Sequence, residues 1–270
     1  MRPWVQRAWR GVALAMQING LADIASQFDA MLIDQFGVIH DGQKLYLGAL
    51  EVMQQLQRLG VPVVVMTNSG KRAVPNADRI VKMGIPRELF VDCVSSGEVA
   101  WQSLSVSKAF LVGKRGEDYG FDPVQFVDAA HAEIMLILGS NAPETSLDDY
   151  RRMFEGLTLP GLCCNPDKLM ITSKGLQPAP GAIAEVYEQM GGKMTWVGKP
   201  YAGIYQHALK LLGSPKKVLC IGDSAEHDVA GGSNAGLSTL LVMQGVSAGQ
   251  NVDTIHPYPD YIMPVFQWGA

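Results

Sequence analysis

Residues Met31 to Val38 read Met-Leu-Ile-Asp-Gln-Phe-Gly-Val, an apolar run that ends in a carboxylate and then breaks at a glycine. A short apolar run bounded by a turn reads as a buried strand. A charge at its last position emerges at the sheet's carboxyl edge, where open α/β sheets bind ligands. The pattern returns late in the chain, where Lys217 to Ile221 runs into Gly222-Asp223. A second carboxylate, Asp228, follows in what reads as the first turn of a helix continuing into Gly231-Gly232. Asp34 and Asp223 are therefore the leading candidates for chemistry, although an isolated aspartate that merely stops a strand would look the same.

The stretch after Asp34 alternates regularly. Val38 to Gly42 closes in Asp-Gly and suits a hairpin or flap beside the strand end. A helix is predicted over Gly48 to Leu59, with Ala49, Val52, Met53, Leu56 and Leu59 at three-and-four spacing. Strands over Val61 to Met66 and Leu89 to Val94 alternate with helices over Val74 to Met83 and Ser96 to Leu104, the order of a parallel sheet wound with right-handed crossovers.

From about Ser105 the texture changes. Ala109 to Val112, Ile134 to Leu138 and Gly161 to Cys164 read as strands, and Asp122 to Ala130 and Ser146 to Leu157 as amphipathic helices. That is enough for a second α/β unit, ending near the breaker Gln177 to Gly181 and its helix Ala182 to Met190. The first architecture resumes with Thr195 to Gly198, a helix from Ala202 to Leu212, a strand over Thr239 to Met243 and a short strand at Tyr261 to Met263.

Composition narrows the partners. A net charge of −4 over 270 residues argues against nucleic acid or an anionic membrane as the main partner, since both need concentrated positive charge. No apolar run approaches the ~20 residues that cross a bilayer. The four cysteines, Cys93, Cys163, Cys164 and Cys220, lack zinc spacing, as expected of a reduced, cytoplasmic protein. Met1 to Gln17, with three arginines and two tryptophans, reads as a dispensable extension, and Met16 could itself be an initiator.

Two polar stretches complete the candidates. Thr67-Asn68-Ser69-Gly70-Lys71 places small hydrogen-bonding residues where a strand meets a helix, a setting for an anion nest or simply for a polar cap. Lys199-Pro200 puts a cation at a helix start, where the macrodipole disfavours it unless an anion is near. Asp34 and Asp223, at the ends of neighbouring strands, could meet across Mg²⁺, a hard cation that prefers oxygen ligands.

These four stretches, D-Q-F-G-V, T-N-S, G-K-P and G-D-S-A-E-H-D, resemble in order the motifs of the haloacid dehalogenase (HAD) superfamily. Asn165-Pro166-Asp167, Pro180-Gly181 and Val197 to Pro200 resemble its NagD-like, class IIA branch. The resemblance implies a Rossmann-like parallel sheet (residues 21–104 and 193–270), an inserted C2-type α/β cap (105–192) and an N-terminal extension (1–20). It implies Asp34 as the nucleophile that forms an aspartyl-phosphate, Thr67 and Asn68, with Ser69 beside them, as phosphate binders, and Lys199 as the neutralising cation. Asp34, Asp223, Asp228 and the Phe36 carbonyl would serve a Mg²⁺ site, with Asp228 also orienting Lys199. The implied substrate is a small phosphorylated metabolite, and the branch allows a homodimer. Asp167, Lys168 and Tyr150 are cap candidates for substrate contact.

One departure matters. Where the family carries its general-acid aspartate, two residues after the nucleophile, this chain has Phe36, which offers a carbonyl but moves no proton. That predicts either hydrolysis of esters with acidic leaving groups, a proton borrowed from the cap or His40, or a phosphate- and metal-binding regulatory protein without turnover.

Overall fold

Strand β1 (Met16–Gln17) opens the α/β core in the computed structural model, which describes residues 15–172 and 174–269. The chain continues through β2 (Ala30–Asp34), α1 (Ala49–Arg58), β3 (Val63–Thr67), α2 (Ala73–Lys82), β4 (Asp92–Ser95) and α3 (Ser96–Ser103). It then enters a second unit: β5 (Lys108–Val112), β6 (Gln125–Phe126), β7 (Ile134–Ile137), α4 (Leu147–Phe154), β8 (Gly161–Cys163), a hairpin of β9 (Leu169–Thr172) and β10 (Gly175–Pro178), α5 (Pro180–Gln189) and β11 (Met194–Trp196). The return to the core runs through α6 (Ala202–Leu211), β12 (Val218–Gly222), α7 (Ala230–Asn234), β13 (Ser238–Val242) and β14 (Tyr261–Met263).

The core sheet is parallel throughout, in the order β1-β14-β13-β12-β2-β3-β4. Because side chains alternate along a strand, β2 faces two layers. Met31 and Ile33 pack with Val52, Met53 and Leu56 of α1, whereas Leu32 packs with Ile204, Tyr205 and Ala208 of α6. Both faces are covered, as a parallel sheet requires. Pairing of β12 directly with β2 brings two distant carboxylates to adjacent positions at the sheet's carboxyl edge.

The second sheet runs β11-β8-β7-β5-β6, also parallel, with α4 and α5 packed on it through Tyr150, Phe154, Ile183 and Tyr187. Tyr150, expected to face substrate, instead lies in this core, and its hydroxyl accepts the Asn141 amide.

Three boundaries differ from the sequence expectation. The helix expected over Asp122 to Ala130 is absent: Gln125–Phe126 pairs with β5, and only a single turn of 3₁₀ helix, Ala129–His131, follows. Pro123 disfavours the helical region for the residue before it, and Val124, Phe126 and Val127 suit an edge strand. The expected extension 1–20 ends early, because Met16–Gln17 forms the sheet edge and Ile18 is buried in the core. Residues 1–14, with the rest of that expectation, lie outside the described residues. The core was expected to resume at residue 193, but β11 belongs to the second sheet, so the chain crosses back only after Trp196.

Candidate active site

Asp34 closes β2, and Asp223 follows the last residue of β12. Asp228 sits in the turn of π-helix Ala225–Val229 that leads into α7, a widened turn of the kind that recurs at functional sites. There Asp228 Oδ2 accepts the Ser224 amide at 3.1 Å. Two glycines make the approach sterically feasible. Gly37 has φ +89°, and a Cβ there would lie 2.0 Å from Asp223 Oδ2; a Cβ on Gly222 would lie 1.9 Å from the Asp228 carboxyl carbon.

Lys199 joins the cluster from the loop after β11. Its Nζ donates to Asp34 Oδ1 at 2.6 Å and to Asp228 Oδ1 at 2.7 Å, and it is only 4% exposed. Burial opposes its charge, but Asp228 first and Asp34 next outweigh that, so the ammonium is held more firmly protonated than usual. The conflict between a cation and a helix start is thereby resolved by two anions.

One ammonium does not balance three buried carboxylates. Burial, with Asp228 and Asp223 nearby, pushes Asp34 well above the usual carboxylate range despite Lys199. Burial and then Asp228 push Asp223 up to about 7. Asp34, Asp223 and Asp228 each place an oxygen within 4.8 Å of the others. An all-oxygen donor set with surplus negative charge fits a hard divalent cation, which would relieve the repulsion that raises these groups. Asp228 has both oxygens engaged, by Lys199 and the Ser224 amide, whereas Asp34 commits only Oδ1. Asp223 accepts the Val246 amide on Oδ2 at 2.7 Å, and its carbonyl accepts Ser247 Oγ at 2.6 Å.

The polar run after β3 is used differently from the expected nest. The Ser69 amide donates to Thr67 Oγ1 and the Lys71 amide to Ser69 Oγ, so both are spent within the turn. Thr67 and Ser69 line the cavity, and the Thr67 hydroxyl proton remains free to donate there. Asn68, expected to bind phosphate, has a saturated side chain. Its Oδ1 accepts the Lys199 amide at 2.7 Å and Ser96 Oγ at 3.1 Å; its Nδ2 donates to the Lys199 carbonyl at 3.1 Å and to Asp167 Oδ1 at 2.8 Å. It positions Lys199 and ties the second unit to the core. Lys71 adds an ion pair to Glu117 across the same junction.

The three carboxylates, Lys199, Thr67, Asn68 and Ser69 border a cavity of about 650 Å³, which Asp167, Lys168, Leu169 and Met170 close from the second unit. The β9–β10 hairpin that supplies Leu169 and Met170 was missed in the sequence; Gly175, at φ +90°, is the turn signal that could have found it. The Phe36 ring stands 42% exposed in this cavity and packs edge-on against His40, centroids 5.5 Å apart. His40 is fully buried, its Nδ1 accepts the Gly42 amide, and burial, followed by the Arg79 charge, lowers it to about 4. It is poorly suited to lend the proton that Phe36 lacks. No helix among the described residues is long and apolar enough to cross a membrane.

Comparison with known proteins agrees with this architecture. Residues 31–127 match the family model described as haloacid dehalogenase-like hydrolase, and residues 196–268 match that described as HAD-hydrolase-like. The 5'-nucleotidase YutF of Bacillus subtilis is 25% identical over 83% of this chain and 91% of its own length. The ribonucleotide monophosphatase NagD of Escherichia coli is 24% identical over 87% of this chain and 95% of its own. The crystal structure of a haloacid dehalogenase-like hydrolase from Brucella suis superposes with a TM-score of 0.83 at 27% identity, covering 92% of this chain and 99% of that one. The two family models together span Asp34, Lys199, and Asp223 with the strand before it, and so the chain belongs to the haloacid dehalogenase-like hydrolases.

Proposed function

We propose that this protein is a Mg²⁺-dependent phosphatase of a small phosphorylated metabolite, acting through an aspartyl-phosphate on Asp34. The observation that carries the reading is the pairing of Asp34 with Lys199 at 2.6 Å at the floor of an open cavity, beside Asp223. A pure binding protein has little use for a nucleophile held this way. The names of the relatives, a 5'-nucleotidase and a ribonucleotide monophosphatase, support a phosphate ester as substrate.

Asp34 attacks phosphorus with a carboxylate oxygen, the ester oxygen leaves, and water then cleaves the aspartyl-phosphate to release phosphate and restore Asp34. Charge spreads over the equatorial oxygens of the phosphoryl group during transfer, so fixed positive charge and positioning do most of the work. Lys199 supplies that charge, and the Thr67 hydroxyl donates to a phosphoryl oxygen. Asp228 and Asn68 hold Lys199 in place, one by its ammonium and the other by its backbone. Asp34 and Asp223, with Asp228 and the Phe36 carbonyl, would hold Mg²⁺, which supplies further positive charge to the phosphate when bound.

Phe36 favours a second reading, a phosphate- and metal-binding regulatory protein with little turnover. A panel of phosphorylated metabolites assayed with and without Mg²⁺, together with beryllium fluoride trapping, separates the two. The phosphatase reading expects Mg²⁺-dependent phosphate release and an adduct on Asp34. Binding of phosphate without release or adduct would favour the regulator.

A further inference from the structure

Arg79 lies in the last turn of α2 and lines the same cavity as Asp34 and Phe36. Of the other cations on that wall, Lys199 is shared by Asp34 and Asp228, and Lys168 pairs with Glu185 at 2.8 Å. Nearby arginines are also committed: Arg72 to Glu98 and Arg87 to Asp92. Arg79, half-buried, has no ion pair and no side-chain hydrogen bond among the described residues. A cation in the last turn favours the helix dipole, but exposed Lys82, one turn position on, already serves that purpose without entering the cavity.

Its placement relative to the reacting group is informative. Arg79 and Phe36 both line the cavity that holds Asp34, and the Phe36 ring packs edge-on against His40. The remaining side chains of the wall include five carboxylates, those of Asp34, Asp167, Asp223, Glu226 and Asp228. An uncompensated guanidinium facing such a wall is a site for an anion, and its planar fork suits carboxylate or phosphate in two-point contact.

We infer that Arg79 is a specificity-determining residue that binds a second anionic group, carboxylate or phosphate, on the organic part of a phosphorylated substrate. The exposed Phe36 ring supports the stretch between that group and the phosphoryl group over Asp34. The inference rests on the phosphatase reading and narrows its substrates to esters that carry two anions.

The test compares kcat/KM for para- and meta-carboxyphenyl phosphate with the matching carboxamides, and for a phenylene bisphosphate, in the intact protein, Arg79→Gln and Arg79→Lys. The carboxylates should be preferred over the amides by about tenfold or more, the scale of a charged hydrogen-bonded pair. The ratio should fall toward one in Arg79→Gln and be partly kept in Arg79→Lys, and the bisphosphate shows which anion is favoured. A ratio near one for every dianion in the intact protein, or a preference that survives in Arg79→Gln, would overturn the inference. If no ester is hydrolysed, the phosphatase reading fails by itself, and calorimetric titration with para-carboxyphenylphosphonate and its carboxamide decides the role of Arg79. Tighter carboxylate binding that Arg79→Gln abolishes retains it; equal binding, or none, removes it.

Discussion

Asn68 clamps the backbone of Lys199 on both sides of its Cα, accepting from the amide at 2.7 Å and donating to the carbonyl at 3.1 Å. The residues are 131 positions apart, and the contact ties the carboxyl end of β3 to the loop after β11. The same side chain reaches Asp167 in the second unit, so one amide links the backbone of Lys199 to the wall that the second unit adds to the cavity.

Asn68→Ala should therefore destabilise the fold and disorder Lys199 together. Each buried polar group left without a partner costs about 1–3 kcal/mol. Chemical denaturation should show a loss of at least that size, and kcat should fall more than KM rises. Unchanged stability and kcat would mean that water or a shifted loop replaces the amide without cost.

Asp34→Asn removes the nucleophile while keeping its shape, so turnover should drop by about 10⁴-fold or more. Lys199 keeps Asp228 as partner, and one of three crowded carboxylates is neutralised. Without divalent cation, the variant should thus unfold at the same or a higher temperature than the parent protein, a separation of activity from stability. Substantial residual turnover would exclude Asp34 as nucleophile.

Burial and Asp228 raise Asp223 to about 7 from an ordinary value of 3.8. The folded state then holds more protons than the unfolded chain across that window, so the metal-free protein should lose stability as pH rises from about 4 to about 7. Divalent cation binds the ionised form, and the thermal shift produced by Mg²⁺ should grow as pH rises through the same range. A Mg²⁺ shift independent of pH would argue against Asp223 as a ligand.

Phe36, which lines the cavity beside Asp34, has no proton to give a departing oxygen. General acid help is worth about 10²–10⁴ in rate and matters most for poor leaving groups. An aryl phosphate should be turned over much faster than an alkyl phosphate, and Phe36→Asp should raise the alkyl rate while changing the aryl rate little. Equal rates for both esters in the parent protein would show that another group supplies the proton.

The sequence alone determined the layered α/β plan, since apolar runs of strand length alternating with amphipathic helices have few other packings. It also marked Asp34, Asp223 and Lys199, because carboxylates at the ends of buried runs and a cation at a helix start conflict with local preference unless they serve a site, whereas Asp228, an acid in a helix's first turn, stood out only through the motif it completes. Short edge elements were less legible: Gln125–Phe126, Met16–Gln17 and Met194–Trp196 are too brief to carry a period, and only their pairing with distant strands makes them strands. The tertiary structure alone decided that the Asn68 side chain is spent on Lys199, Ser96 and Asp167, that Tyr150 packs in the second core and that Arg79 lines the cavity. Hydrogen-bond partners, counter-charges and exposure are set by residues far away in the chain, and a linear pattern carries no record of which distant groups will satisfy a given side chain.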